Sequence, residues 1–444
     1  MQVTADLHLH SKYSRAVSPQ MILPTMAQVA LDKGLQLLTA SDWTHPVWFK
    51  EISALLAQTG EGVYRLNVGT EAMQSIKFIL STEISCIYKQ GEKLRRIHNL
   101  VFVSSLEKAE KLSKALVVKG CNLTADGRPI IGLTSRQLLE LLLEIDPAGF
   151  FIPAHVWTPH FGIYGSASGF DSLEEAFGDL APYIYGIETG LSSDPEMNWQ
   201  IPELASRSIL SFSDAHSPQK MGREATMLEL EDVDFPHLKL AVQKGKSQTN
   251  KIVYTIEFYP EEGKYHYSGH RTCKVRLSPD ELQEKGDLCP TCKRKLTEGV
   301  FSRLAYLSGK KEFSPAITRP NADNLHWLTN AQRQHPPYVK LVPLLEIVAE
   351  ALDSTVASQK VKLTYNKAIK MLGTEHDILL KSSEQEIAHA VGEKVAQAIG
   401  KVRSGEIAIE PGYDGEYGKV KIWGDSQTDT EDASADSPQM SLDF

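Results

Sequence analysis

The feature that most constrains this chain is an alternation in its first half. Short apolar runs are separated by helix-like stretches, and a histidine or an acid stands beside run after run. The runs cover 2–9, 35–40, 78–84, 100–103, 150–153, 184–187 and 209–212, with helical patterns at 24–33, 134–144 and 172–177 that open on Pro, Thr or Ser. Strands alternating with helices imply βα units, hence an α/β fold with a parallel sheet or barrel. In a β/α barrel the strand ends converge on one face, where active sites lie.

The residues at those ends are metal-ligand types. His8 and His10 are two apart at the end of the first run, so both imidazoles face one side of a strand and can reach one ion. Asp42 follows the second run and Glu83 closes the third. His98 precedes the fourth, His155 follows the fifth, and Asp214 and His216 follow the last. His45 and Glu71 are alternatives to single members of this set. Five histidines with three acids can hold two or three divalent ions, and clustered ions suit phosphoryl transfer. Imidazole mixed with carboxylate favours Zn, Mn or Fe over Mg.

The order His-x-His, Asp, Glu, His, His, Asp-x-His resembles the polymerase and histidinol phosphatase (PHP) superfamily of metal-dependent phosphoesterases, over residues 1–250. That resemblance implies a PHP-type distorted (β/α)7 barrel. It also implies an ion on His8, His10, Glu83 and Asp214, a second bridged by Glu83 to His98 and His155, and a third on Asp42 and His216. Asp214, His216 and His155 are the residues expected to carry catalysis, with Zn, Mn or Mg as the ions. The stretches 153–161, 165–172, 188–195 and 213–218 narrow the match. With the modules below, the chain resembles endonuclease Q over residues 1–422. The resemblance implies a DNA repair endonuclease that cuts 5′ to deaminated bases (uracil, hypoxanthine, xanthine) and abasic sites. The alternative that the barrel alone permits is a small-molecule phosphoesterase. Trp157, Phe161, Tyr164 and Phe170 are candidates to stack on a flipped base, or else to pack beneath their loop. His160 is a candidate to assist the leaving group, or else a surface residue.

From about residue 251 the texture changes, and three of the five cysteines fall close together. Clustering of that kind points to a metal site rather than disulfides. Cys273, Cys289 and Cys292 with His270 make two x2-spaced pairs, the layout of a closed, structural Zn site; His266 competes with His270. This module is assigned to 251–320. The segment 271–320 carries 11 Lys/Arg against 6 Asp/Glu, although the whole chain has a net charge of −9. Arg271, Lys274, Arg276, Lys293, Arg294 and Lys295 could therefore sit on DNA phosphates.

Residues 321–423 read as a helical DNA-binding region, with apolar stripes over 338–402 and Lys360, Lys362, Lys367 and Lys370 as a duplex-facing side. A small hairpin is expected over 407–422. The tail 424–444 is acidic, poor in apolar groups and expected to be disordered. Its last six residues resemble the bacterial sliding-clamp-binding peptide, with Gln439, Leu442 and Phe444 as anchors, so damaged DNA and a sliding clamp are the expected partners. The first residues lack the basic start and apolar core of a signal peptide, and no run is long enough to span a membrane. A cytoplasmic, nucleoid-associated bacterial protein is the expectation.

Overall fold

The computed structural model describes residues 1–309, 315–331 and 334–424. The acidic tail and its clamp-like residues Gln439, Leu442 and Phe444 lie outside them. The architecture is mixed α/β with a large central sheet. The first strand, Gln2–Asp6, pairs in parallel with Leu37–Thr39, which pairs in parallel with Lys77–Gln90. The βα reading fits this part: helix Leu23–Lys33 starts on a Pro in its first turn and ends on Gly34 in the left-handed region.

The sheet is not wholly parallel, as the alternation predicted. Lys77–Gln90 turns directly into the antiparallel strand Lys93–Val103, in register from Leu80 opposite Val103 to Gln90 opposite Lys93. The distal half of this hairpin carries Lys89, Gln90, Lys93 and Arg96, so only its apolar proximal half showed as runs 78–84 and 100–103. Phe150–Pro153 then pairs antiparallel to Lys93–Val103. Gly186–Glu188 and Ser208–Leu210 form a separate parallel pair, joined to the path by a bridge between Phe151 and Ile184. The segment after Leu210 returns to the first strand at a Leu9–Ala215 bridge. Along this curved path the strands contribute Val3, Ala5, Leu37, Ile79, Leu100, Ile152, Leu210, Phe212 and Leu228 to one buried cluster. The helices pack the other face of the sheet through a larger one.

Beyond Glu257 lies the small cysteine-bearing module. It is built on the antiparallel pair Ser268–His270 and Val275–Leu277 and on helix Pro279–Lys285, which has a Ser278/Glu281 capping box. Its own core is only Leu277, Cys289 and Leu296. Five helices follow: Leu344–Ala351, Gln359–Leu372, Glu375–Leu380, Glu384–Val391 and Glu393–Ser404. Gly373 breaks the second from the third. This helical region docks on the first half through a buried Lys33–Glu375 ion pair of 2.8 Å and a His376 ring N–H donated to Gly222 O at 3.0 Å. The expected hairpin is Ala408–Glu410 with Lys419–Lys421. Among the described residues no helix is long and apolar enough to cross a membrane.

Candidate metal centre

Strand ends bring the first-half ligands together. Asp6, the last residue of the first strand, accepts N–H bonds from Ser213 (3.0 Å) and Gly222 (2.9 Å), which ties the His8–His10 segment to the turn carrying Asp214 and His216. On the long hairpin Glu83 faces Leu100 and Ser85 faces His98, so Glu83 and His98 are diagonal neighbours on one face. The result is three overlapping groups of ligand atoms: His8, His10 and Glu83; His10, Asp214 and His216; Glu83, His98 and His155.

Glu83 is the centre of the cluster. Its Oε1 lies 2.6 Å from His98 Nδ1, 3.0 Å from His155 Nε2 and 3.8 Å from His8 Nε2, while Oε2 lies 3.4 Å from His10 Nε2. Asp214 Oδ1 lies 3.1 Å from His10 Nε2 and 3.5 Å from His8 Nε2. Burial pushes Glu83 up, but the charge of Arg128 and the hydrogen bonds from His10 and His155 outweigh it and hold its carboxyl well below the ordinary value. Burial likewise opposes a charge on Asp214, and His8 and His216 overcome it. Burial pushes His98 down to about 3, which favours the neutral imidazole, the form able to bind a metal.

Two observations test whether a cation fits. His8 Nε2, His10 Nε2 and Asp214 Oδ1 are buried with no hydrogen-bond partner, although buried polar atoms are nearly always paired. Three of the residues also hold a strained backbone: φ is +55° at Asp42, +28° at His155 and +46° at Asp214. Left-handed non-glycine residues cluster at functional sites, where the surroundings over-determine them. Gly190 makes room for one of them, since a Cβ there would stand 2.2 Å from His155 Cβ.

Asp42 sits one step behind the cluster. One oxygen accepts from the Ser11 N–H (2.6 Å) and the Ser14 hydroxyl (2.8 Å), and the other faces His10 Nδ1 at 3.3 Å. It does not group with His216 as a ligand pair. The alternatives fall away from the centre: Glu71 is exposed in a short helix, and His45 caps another helix with its ring stacked on Tyr13. His160 is exposed. Trp157, Tyr164 and Phe170 are fully buried, with Trp157 bonded to Asn198 and Phe170 under the Arg95 guanidinium, so these three pack the loop instead of presenting a stacking face. Phe161 is half-buried against the His98 ring at 4.4 Å.

Two residues at the centre were not singled out from the sequence. Glu188 is fully buried, faces His8 Nδ1 at 2.8 Å and accepts the His155 N–H at 2.8 Å. It follows an apolar run just as the ligands do, and that signal could have found it. Arg128, 3.1 Å from Glu83, comes from a loop with no periodic pattern to mark it.

The second candidate centre is local. His270, Cys273, Cys289 and Cys292 bring one ligand atom each within 4.8 Å of one another, with His270 Nδ1 3.3 Å from Cys292 Sγ. His266 is instead buried in a stack on Phe301. Burial pushes the Cys289 thiol up, but the backbone N–H groups of Cys292 and Thr291 outweigh it and bring it down to about 6. The six cations named around this module are all exposed. The 411–418 segment clasps it: Tyr267 N–H donates to Gly412 O, Gly415 N–H to Lys264 O, and the Arg271 N–H to Asp414. Between them lies a cleft of about 430 Å³ lined by Lys274, Arg276, Tyr413, Tyr417 and Lys419.

Comparisons with known proteins cover most of the chain. A family model described as the MJ0043 C-terminal domain matches residues 343–406. The chain is 30% identical over 437 residues to the uncharacterized protein YqxK of Bacillus subtilis (strain 168), covering 95% of this chain and 99% of that one. The crystal structure of the lesion-specific endonuclease PfuEndoQ from Pyrococcus furiosus is similar over 95% of this chain and 96% of its own, with a TM-score of 0.79 at 31% identity. A crystal structure of endonuclease Q with a 27-mer duplex bearing an abasic lesion at the active site covers 95% and 97%, with a TM-score of 0.78 at 32% identity.

Proposed function

The chain belongs to the endonuclease Q family, and from that premise we propose that it is a DNA repair endonuclease that hydrolyses the phosphodiester 5′ to deaminated bases and abasic sites. The observation that carries this reading is the cluster around Glu83, with three buried side-chain atoms that have no hydrogen-bond partner. We assign it two or three divalent ions (Zn, Mn or Mg). His8, His10, Glu83 and Asp214 form one site, Glu83, His98 and His155 the next, and His216 a third with Asp214 and His10. Such ions supply an activated water and neutralise charge in phosphoryl transfer.

The protein's own part is positional. Glu188 accepts from the Nδ1 side of His8, which turns Nε2 toward the cluster, and Asp42 does the same for His10; such partners fix tautomer and ring orientation. The strained turns at His155 and Asp214 aim both side chains inward. We read 1–250 as the PHP-type distorted (β/α)7 barrel, 251–320 as the zinc module, 321–423 as the helical DNA-binding region and 424–444 as a tail with a clamp-binding peptide. Zinc on His270, Cys273, Cys289 and Cys292 would staple a module too small to hold itself by burial alone.

The test is cleavage of end-labelled duplexes carrying one uracil, one hypoxanthine, one abasic site or no lesion, with Mn²⁺ or Mg²⁺. Cutting immediately 5′ to the lesion, absent on the plain duplex and lost in Asp214→Ala, is the expected result. Turnover of small phosphomonoesters with no strand cutting would leave the phosphoesterase reading instead.

A further inference from the structure

A guanidinium inside a cation-binding cluster raises an electrostatic question. Arg128 Nη1 lies 3.1 Å from Glu83 Oε2, and its side chain is 17% exposed. Glu83 belongs to two of the three overlapping groups, so the guanidinium touches the residue they share. The carboxylates of Glu83, Asp214, Asp42 and Glu188 lie in or directly behind the cluster. Two divalent cations would balance those four charges and Asp126 bears on Arg128 from its own loop, so the guanidinium is in excess once a third cation is bound. A cation held in surplus among cations costs Coulomb energy unless an anion joins it.

The chain is built to deliver this side chain. Asp126 accepts the N–H groups of Arg15 and of Arg128 itself, each at 3.1 Å. The Gly127 N–H donates to Tyr13 O at 3.0 Å, and a Cβ at Gly127 would stand 2.4 Å from Ser14 Oγ and 2.7 Å from Asp42 Oδ2. On the other side, Pro129 O accepts the Ser85 N–H at 3.0 Å, two residues along the strand from Glu83. The loop is therefore pinned before and after Arg128, against the residues that orient the cluster. Glu83 takes one of five guanidinium donors, and the planar fork suits a second, tetrahedral anion.

We propose that Arg128 is a catalytic residue that binds a non-bridging oxygen of the phosphodiester. This rests on the reading of the cluster as a phosphodiester hydrolase. A water oxygen bonds to phosphorus, the bond from phosphorus to the departing sugar oxygen breaks, and the water's protons end on that oxygen and in solvent. Arg128 faces the negative charge that grows on the non-bridging oxygens between those two events.

The experiment compares wild type, Arg128→Lys and Arg128→Gln by three readouts. These are metal content per chain, calorimetric affinity of the metal-loaded protein for inorganic phosphate, and single-turnover cleavage of a lesion duplex with either phosphorothioate isomer at the scissile linkage. Expected are unchanged metal content, phosphate affinity lower by about tenfold or more in the Gln variant, and cleavage slower by about 10²–10³. The Lys variant, which keeps the charge without the fork, falls between. The wild type's preference for one isomer shrinks in Arg128→Gln, an effect that loss of a structural prop would not produce. Unchanged phosphate affinity overturns the proposal, and so does loss of metal from both variants, which would make Arg128 a support for Glu83 alone. If wild type cuts no lesion duplex, the endonuclease reading falls, and the phosphate readout still decides the role of Arg128.

Discussion

Two of the candidate ligand clusters among the described residues are built in opposite ways. The zinc-type cluster is local: His270 to Cys292 spans 23 residues, the candidate ligands are sulfur and one imidazole, and the apolar cluster around them buries only Leu277 and Leu296 besides Cys289 itself. The Glu83 cluster gathers His8, His10, Glu83, His98, His155, Asp214 and His216 from more than 200 residues of chain, buries the first five and half-buries the last two, and strains the backbone at two of them. A closed set of soft ligands substitutes for a core, whereas an oxygen- and imidazole-rich set with unpartnered atoms needs a core to hold it open. Damage to the first should therefore cost folding of a module, and damage to the second should cost rate.

The sharpest way to break this comparison is Asp214→Asn, which keeps the shape and removes the charge that faces His8, His10 and His216. Cleavage should fall on the order of 10³ or more, while thermal unfolding keeps its midpoint to within a few degrees, read by scanning calorimetry. A collapse of stability with the lost activity would show that the Glu83 cluster is structural after all. Cys289→Ser should do the reverse. One zinc per chain is lost, about 4 kcal/mol or more of local stability goes with it, and hydrogen exchange rises across 264–300 but not in the strands 77–103.

Next in size is Gly190→Ala. The left-handed φ of +58° strains any side chain, and the new Cβ would meet His155 Cβ at 2.2 Å. Displacing His155 by about an ångström should cost on the order of 10² in rate. Glu188→Gln is milder: the amide keeps the size and loses the charge behind His8, so metal affinity should fall by about 10–100-fold, measured by competition with a chromogenic chelator. A wild-type affinity in Glu188→Gln would mean that the acid only accepts the His155 N–H.

The two clusters also differed in how far they could be read from sequence. Four ligands in two x2-spaced pairs are a pattern within one short segment, and the structure brings together that set, with His270 rather than His266. The distributed ligands were legible only because each adjoins an apolar run, which is a consequence of strand ends converging. That rule reached His8, His10, Glu83, His98, His155, Asp214 and His216. It also drew in Asp42, which stands just behind His10, because a strand end places a residue near the face without saying which way its oxygens turn. Arg128 escaped because loops carry no period. The long antiparallel hairpin escaped because Lys89, Gln90, Lys93 and Arg96 mask its outer half as a polar loop. Trp157, Tyr164 and Phe170 looked like a stacking set in a Gly-rich loop, and they are buried because that loop folds back on its own backbone at Gly162, Gly165 and Gly169.

The smallest effect is the one that separates affinity from rate. Lys293 and Arg294 follow Cys292 directly and are exposed, with no acid paired to them among the described contacts. If the zinc module serves the duplex, each cation neutralises a phosphate and releases a counterion. The double variant Lys293→Ala, Arg294→Ala should then flatten the plot of log affinity against log salt by about two. If zinc holds the module, its fold comes from the ligands and not from these side chains, so zinc content and the thermal midpoint should not move. The Glu83 cluster is untouched, so the single-turnover rate at saturating enzyme should also stay at the wild-type value. A drop in that saturated rate would mean that the module positions the scissile phosphate as well as holding the strand, and the division between a centre for rate and a module for grip would have to be redrawn. An unchanged salt slope would move the DNA contact to other cations, such as Lys274, Arg276 and Lys419 in the cleft they share with Glu410 and Glu416.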